Sequence, residues 1–328
     1  MRILIVGGTQ FVGRAIAAAA LDGGHDVTLV HRGVTGRDLF PEAEHVLADR
    51  DQNLGALAGR GFDATVDTCA FYPRQVRSLA AALDGRGGHH LYVSSVSAYA
   101  EPEVAGADES APLAELDTDD PDALPMTGET YGGLKVCCER AALEAYGADA
   151  LTIVRPTYVV GPHDPTGRFT WWVDRLACGG RVLCPGPPSA PMQLIDARDQ
   201  GTWVESLIDT RTTGAFHCCA QPPPWSFADM IETIRDEVAP SGTELVWVDA
   251  AQLVDAGVDG ELLPLWSEGS PEQALALDPS AAIRTGLSAR PLADTVRDTW
   301  CWLQEADWRR DGVGLEPARE ADLLARLT

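Results

Sequence analysis

Arg2-Ile3-Leu4-Ile5-Val6-Gly7-Gly8-Thr9-Gln10-Phe11-Val12-Gly13 is the stretch that decides the fold of this chain. Residues 2–6 are an apolar, β-branched run without alternation, the pattern of a strand buried on both faces of a parallel sheet. Gly7 to Gly13 make a glycine-rich turn that leads into an Ala-rich helix, Arg14 to Leu21, closed by Asp22-Gly23-Gly24-His25. Val27-Thr28-Leu29-Val30 is the next strand. In this setting glycines let the backbone approach a pyrophosphate, and the helix N-terminus offers it free N–H groups and partial positive charge. A dinucleotide site is therefore expected on Gly7, Thr9, Gln10, Phe11, Val12 and Gly13. Gln10 stands where the usual fingerprint has its middle glycine, so its side chain must point away from the phosphates or bond them through its amide.

The end of the second strand selects the nucleotide. NAD-binding folds of this kind usually place an acidic residue there to accept hydrogen bonds from the adenosine ribose. Here His31 is followed by Arg32. With no carboxylate to repel a 2′-phosphate and a guanidinium able to grip one, NADP(H) is favoured and NAD(H) is the alternative. Glu44 to Asp51 reads as a third strand with an acidic turn, where Asp49 is placed to recognise the adenine amino group.

Asp63 to Ala70 is a fourth strand, with Cys69 at its cofactor-facing end. The helix Arg74 to Leu83 and a fifth strand, His89 to Ser95, follow. Strands separated by helix-length segments imply βαβ units and a doubly wound parallel sheet, an α/β fold of the Rossmann type. Residues 1–160 are expected to form the dinucleotide-binding domain, with strand and helix returns from later segments. Residues 161–328 should be mainly a smaller substrate domain and C-terminal helices. Ligands of such sheets lie beyond the carboxyl ends of the strands, which places Ser94, Ser95 and Ser97 well. Residues 101–125 are acidic and aperiodic, a long loop expected to be a functional lid or disordered. A helix from Tyr131 to Tyr146 then puts Tyr131 and Lys135 one turn apart on one face. An ammonium beside a tyrosine favours the phenolate, so Lys135 is expected to lower the Tyr131 pKa and fit it for general acid–base work.

The chain has 49 Asp and Glu against 25 Lys and Arg, a net charge of −24. Nucleic acid and anionic membrane surfaces need clustered Lys and Arg, so neither is expected as a partner. No apolar run reaches the length of a membrane span, and the first strand begins at the N-terminus without a signal peptide, so a cytoplasmic location is expected. The eight cysteines include the adjacent pairs Cys137-Cys138 and Cys218-Cys219 and no C-x-x-C. Neither a disulfide framework nor a metal site is expected from them; they read as small, reduced, buried residues.

Taken together, Val6 to Gly13, Tyr92 to Tyr99, Tyr131-Gly132-Gly133-Leu134-Lys135, Arg155 to Pro162, Ile195 to Asp199 and Gly286 to Trp302 give a chain that resembles the extended short-chain dehydrogenase/reductase family, the NAD-dependent epimerases and dehydratases. Gln10 within Gly-Gly-Thr-x-Phe is also similar to the atypical branch of that family. The resemblance implies that Tyr131 is the general acid/base and that Lys135 lowers its pKa while bonding the nicotinamide ribose. It implies Ser95 as the catalytic hydroxyl, Ser97 as a second candidate, and Pro156, Tyr158 and Val159 beside the nicotinamide. A homodimer through a four-helix bundle is implied as well.

The second half departs from members that act on nucleotide sugars. Tyr158 replaces their Asn, Met192 stands where an Arg is common, and Leu265-Trp266-Ser267-Glu268-Gly269 lacks another. Those arginines clamp a diphosphate, so their absence argues against such a substrate unless Arg168, Arg175 or Arg181 replaces them. Phe169, Trp171 and Trp172 are expected either to wall a substrate pocket or to pack on the sheet; His163 and Arg168 are further candidate substrate contacts. The expected function is NAD(P)-dependent hydride transfer at a secondary alcohol or ketone of a small, sugar-like or cyclic metabolite. A sugar or nucleotide-sugar epimerase or dehydratase with retained NAD is the alternative. A non-catalytic nucleotide sensor or scaffold, or an RNA-binding relative, is the rival from another class.

Overall fold

The computed structural model describes residues 1–101, 104–220, 225–266, 276–306, 308 and 312–327. The chain opens with β1 (Arg2–Val6), α1 (Phe11–Asp22), β2 (Asp26–His31) and β3 (Glu44–Leu47). It continues through β4 (Ala64–Asp67), α2 (Pro73–Leu83), β5 (His89–Val93), α3 (Gly128–Tyr146) and β6 (Leu151–Pro156). Then come β7 (Tyr158–Val160), α4 (Arg168–Ala177), β8 (Arg181–Pro185), β9 (Pro191–Met192), β10 (Leu194–Asp196), α5 (Ala197–Asp209) and β11 (Gly214–Cys218). The last elements are β12 (Trp225–Ser226), α6 (Phe227–Val238), β13 (Glu244–Val248), α7 (Ala250–Asp255), α8 (Ser280–Arg284), α9 (Leu292–Glu305) and α10 (Pro317–Leu327).

Seven strands form one sheet in the order β11-β6-β5-β4-β1-β2-β3, and every pair in it is parallel. The order reverses at β1, whose neighbours are β2 and β4, so a crevice opens beyond the carboxyl ends of β1 and β4. Ile3, Ile5 and Leu29 on one face pack with Ile16 of α1 and Leu207 of α5. Leu4 and Val6 on the other face pack with Leu79 and Leu83 of α2. Gly201 seats α5 on α1, because a Cβ there would lie 2.6 Å from the Ala15 carbonyl oxygen. Later segments build a separate apolar core around Phe169, Trp171, Trp172, Phe227 and Ile234.

Two differences from the sequence expectations have local causes. Helix α3 starts at Gly128, three residues before Tyr131, because Thr127 and Thr130 cap each other: Thr130 N–H donates to Thr127 Oγ1 at 3.3 Å and Thr127 N–H to Thr130 Oγ1 at 2.9 Å. The acidic loop, in its described part, is fastened rather than free. Tyr99 bridges Leu113, Gly106 N–H donates to Ala276, Tyr72 Oη donates to Leu124, and Asp122 faces Arg74 and Arg77 at 3.5 and 3.6 Å. Among the described residues no cysteine is in a disulfide. Among the described residues no helix is long and apolar enough to cross a membrane. Residues 267–269 of the late loop lie outside the described residues.

Candidate active site

The glycine turn is shaped by contacts that no side chain would fit. Gly7 has φ +91°, and a Cβ on Gly13 would lie 1.9 Å from the Gly7 carbonyl oxygen. Thr68 Oγ1 donates to the Val6 carbonyl at 2.9 Å and ties the ends of β4 and β1 together beneath the turn. Gln10 is exposed, takes an ordinary extended conformation (φ −138°) and makes no side-chain cap on α1. The left-handed conformation falls instead on Phe11, at φ +41°, a strained value for a bulky residue and a mark of functional turns. The α1 N-terminus is therefore left uncapped by side chains, facing a crevice.

That crevice has two compartments of about 560 and 540 Å³, which share Phe11, Val12, Thr68 and Phe71 as a common wall. The first runs from Gly7, Thr9 and Gly13 past Cys69 to His31, Arg32 and Asp49. A tight glycine cradle, an uncapped helix N-terminus and room on both sides fit a dinucleotide. His31 is buried and locked: Gly33 N–H donates to its Nδ1 at 3.1 Å, so its proton sits on Nε2 and is given to His45 Nδ1 at 2.8 Å. Burial, then His45 and Arg37, push the His31 pKa down, and the ring is neutral. Arg32 is exposed beside it. Asp49 lines the compartment as expected, with its carboxylate accepting from Asp51 N–H at 3.0 Å and the Gln52 amide at 2.9 Å.

The second compartment collects Ser95, Ser97, Tyr131, Lys135, Pro156, Tyr158, Val159 and Arg168. Ser95 Oγ accepts from Ser97 N–H at 3.1 Å and donates to Ser97 Oγ at 3.2 Å, which fixes the turn after β5. The electrostatics of the tyrosine–lysine pair differ from expectation. Burial raises the Tyr131 pKa above that of a free tyrosine, and only the Ser95 hydroxyl and Arg168 pull it back. Lys135 is turned away: its Nζ donates to the Val93 carbonyl at 2.9 Å, to Tyr92 Oη at 3.0 Å and to the Ala70 carbonyl at 3.2 Å. Burial pushes that ammonium down to about 8. With all three protons engaged, Lys135 has none directed to a ribose. The spacing put both residues on one face of α3, but α3 packs on β5, and the strand-end carbonyls capture the ammonium.

Other candidates fall elsewhere. Trp172 is fully buried, donates Nε1–H to the Pro264 carbonyl at 2.6 Å and packs edge-on against Trp171 and Phe227; like Phe169 and Trp171 it is core, not pocket wall. His163 sits outside both compartments, against Trp302 and near Arg14 in a smaller hollow of about 400 Å³. Burial, with Arg14 and Arg198, pushes its pKa down to about 4. Arg175 is buried against Glu320 at 2.6 Å, and Arg181 faces Glu244 at 3.5 Å on the surface, so neither lines the crevice.

Sequence reasoning missed the ion pairs that frame the crevice. Arg50 Nη1 and Nη2 each lie 2.7 Å from an oxygen of Asp67, at the floor of the first compartment. Arg155 grips Glu139 in the same bidentate way, at 2.9 and 2.7 Å, and Ser94 Oγ donates to Glu139 at 2.5 Å. A charge in the apolar run Ala64-Thr65-Val66-Asp67 was the available signal, since a buried carboxylate requires a partner.

The comparisons agree with this geometry. A chloroplast stem-loop binding protein of 41 kDa from Arabidopsis thaliana is 25% identical over 217 residues, 61% of this chain and 53% of that one. A UDP-glucose 4-epimerase from Corynebacterium glutamicum is 27% identical over 132 residues, 34% of this chain and 40% of that one. The chain thus spans about half, or less, of the length of these curated relatives. The crystal structure of the Bordetella bronchiseptica enzyme WbmH in complex with NAD+ superposes with a TM-score of 0.70 at 18% identity, over 94% of this chain and 99% of that one. The sequence pattern of the NAD dependent epimerase/dehydratase family matches residues 3–219. A glycine-turn crevice at the β1–β4 switch point, on a chain that carries this pattern through most of its length, places it in the NAD dependent epimerase/dehydratase family, a family of enzymes.

Proposed function

We propose that this chain transfers a hydride at a secondary alcohol or ketone of a small polar metabolite, with Tyr131 carrying the hydroxyl proton. The observation that supports this most is the Tyr131 phenol beside the Ser95 hydroxyl, in a compartment continuous with the glycine turn. The turn and the α1 N-terminus would hold a pyrophosphate, and Asp49 and Arg32 would face the adenosine end. The nicotinamide, when bound, supplies or accepts the hydride. The raised pKa of Tyr131 keeps the phenol protonated near neutral pH, so its resting state is the acid that a ketone reduction needs. Ser95 would orient the same substrate oxygen.

Arg32, next to a neutral His31 and with no carboxylate at the end of β2, supports NADP(H) over NAD(H). A retained-NAD sugar epimerase is the second reading, favoured by the family and by the Corynebacterium relative's name. It shares the first hydride step and differs in keeping its nucleotide. The Arabidopsis relative's name points to a stem-loop ligand, but a net charge of −24 favours a small molecule over RNA.

The test is mass spectrometry of nucleotide released from denatured protein, then titration of NADPH and NADH into emptied protein. An empty site that prefers NADPH, with the preference lost in Arg32→Gln, is the expected result. Tyr131→Phe should bind nucleotide normally and lose about 10²–10⁴-fold in turnover. Near-stoichiometric NAD would overturn the NADP assignment and establish the epimerase reading. Failure to bind either nucleotide would refute both.

A further inference from the structure

Among the described side chains that line the Tyr131 compartment, only Lys135 and Arg168 carry charge, and none is a carboxylate. Lys135 has spent its three protons on the Val93 and Ala70 carbonyls and the Tyr92 hydroxyl, beneath the surface of the compartment. Arg168 has not. Its Nε donates to Thr166 Oγ1 at 3.3 Å, its guanidinium lies 5.2 Å from the centre of the Tyr158 ring, and it makes no ion pair among the described residues. The nearby buried carboxylate of Asp164 is turned to Thr166, at 2.8 Å from both its N–H and its Oγ1. Two arginines buried or half-buried in this half are paired instead: Arg175 with Glu320, and Arg198 with Asp196 and Asp298. Arg168 is exposed at the wall of a ligand pocket, and although it acts electrostatically on Asp164, no carboxylate among the described residues lies within ion-pair distance of it. It also stands in the first turn of α4, which has no acidic residue to offset it.

We propose that Arg168 is the specificity-determining anchor of this compartment, and that the substrate carries one oxyanion group, a carboxylate or a phosphate, close to the carbon that reacts. The proposal rests on the hydride-transfer reading of the Tyr131 compartment and adds the charge of the molecule that fills it. The Arg168 guanidinium lies over the Tyr158 ring, 5.2 Å from its centre, at the wall of the compartment, and a guanidinium can pair fork-like with two oxygens. One such fork satisfies one carboxylate or one phosphate; a nucleotide diphosphate would need further cations that the compartment does not offer. Arg168 also pulls on the Tyr131 phenol, which places the anchored group and the reacting oxygen within one electrostatic neighbourhood.

Two matched probe pairs test this: 4-oxopentanoate with its methyl ester, and dihydroxyacetone phosphate with dihydroxyacetone. Calorimetric binding is measured on the full chain, with and without NADPH. On wild type at least one charged probe should bind about tenfold or more tightly than its neutral partner, the scale of one charge-assisted pair, and the two pairs separate carboxylate from phosphate. Arg168→Gln should abolish that gap, Arg168→Lys should restore part of it, and Arg181→Gln on the surface should leave it intact. In a spectrophotometric titration Arg168→Gln should also raise the Tyr131 phenol midpoint, a change absent in the Tyr131→Phe background. Equal affinity for charged and neutral probes, no binding of either charged probe, or a gap that survives Arg168→Gln would overturn the proposal. Tyr131→Phe should keep the gap, so failure of the hydride-transfer reading would show separately, as unchanged turnover in that variant.

Discussion

Asp67→Asn removes one charge from a sealed pair. In the native chain Arg50 Nη1 and Nη2 each lie 2.7 Å from an Asp67 oxygen, Asp67 is fully buried, and the Arg50 side chain is 9% exposed. The amide keeps the shape but leaves the guanidinium with the Cys69 sulfur at 3.3 Å and the Gln75 carbonyl at 3.1 Å. Breaking a buried pair from one side costs about 3–5 kcal/mol, because the remaining charge stays out of water. With an unfolding entropy of about 2.1 cal/mol/K per residue, 328 residues convert this to a Tm loss of about 4–7 °C. The double variant Arg50→Met/Asp67→Leu should recover most of it, since an apolar pair carries no desolvation penalty. Burial alone would raise the Asp67 pKa, but Arg50 outweighs it and holds the carboxyl below its ordinary 3.8. As pH falls the unfolded chain therefore takes up the proton first. The stabilisation is complete above the ordinary value and is lost as pH drops through the depressed native one. Asp67→Asn should lack that acid-side slope. Urea and thermal unfolding at pH 7, and then from about pH 4 down to about pH 2, measure both effects. A loss under about 1 kcal/mol at pH 7, or an unchanged pH slope, would refute the claim that this charge is sealed from water.

Two further outcomes follow from the crevice. Lys135→Met should destabilise the chain by about 1–3 kcal/mol for each acceptor it orphans, yet leave the Tyr131 titration midpoint nearly unmoved. A midpoint that rises by a full unit would restore the lysine to the role its spacing suggests. Because burial lowers Lys135 to about 8, the unfolded chain holds a proton that the native chain has lost between there and the ordinary 10.5. Stability should rise with pH across that window in wild type and stay flat in Lys135→Met. Gly13→Ala forces a Cβ to 1.9 Å from the Gly7 carbonyl oxygen, so nucleotide affinity should collapse, whereas Gly128→Ala meets nothing within 4 Å and should be neutral or stabilising by about 0.4–1 kcal/mol. Equal nucleotide affinity in the two glycine variants, by fluorescence titration, would count against the turn as the binding cradle.

What the sequence made legible was set by the backbone. The strand at Arg2–Val6, the turn at Gly7 and Gly13 and the parallel character of the sheet follow from burial period, from helix-length spacing and from positions where only glycine fits. Side chains whose placement depends on chain-distant neighbours were not legible. Trp172 and Arg168 lie four residues apart on α4, and both were candidate substrate contacts; the helix turns one into the core beside Pro264 and leaves the other at the crevice. A spacing of four puts both on one face, so nothing in it separates them; how far along α4 that face is covered is decided by α6 and α9, over fifty residues later in the chain.

Lys135 shows the same limit within the site itself. A helical spacing of four fixes which face two residues share, but not which partner an ammonium prefers once that face meets a strand end with exposed carbonyls. Two strand-end carbonyls and the Tyr92 hydroxyl, at 2.9–3.2 Å, take the ammonium protons, and the two carbonyls offer a charged donor more than the neutral Tyr131 phenol would. The lysine then fastens α3 to the ends of β4 and β5, and the cation left to act on Tyr131 is the one that arrives from α4. On the proposed reading of the site, the group that holds the fold and the charge that acts on Tyr131 are separate: Lys135 is the first and Arg168 the second. Substitution at Lys135 should be read out in stability, and substitution at Arg168 in ligand preference.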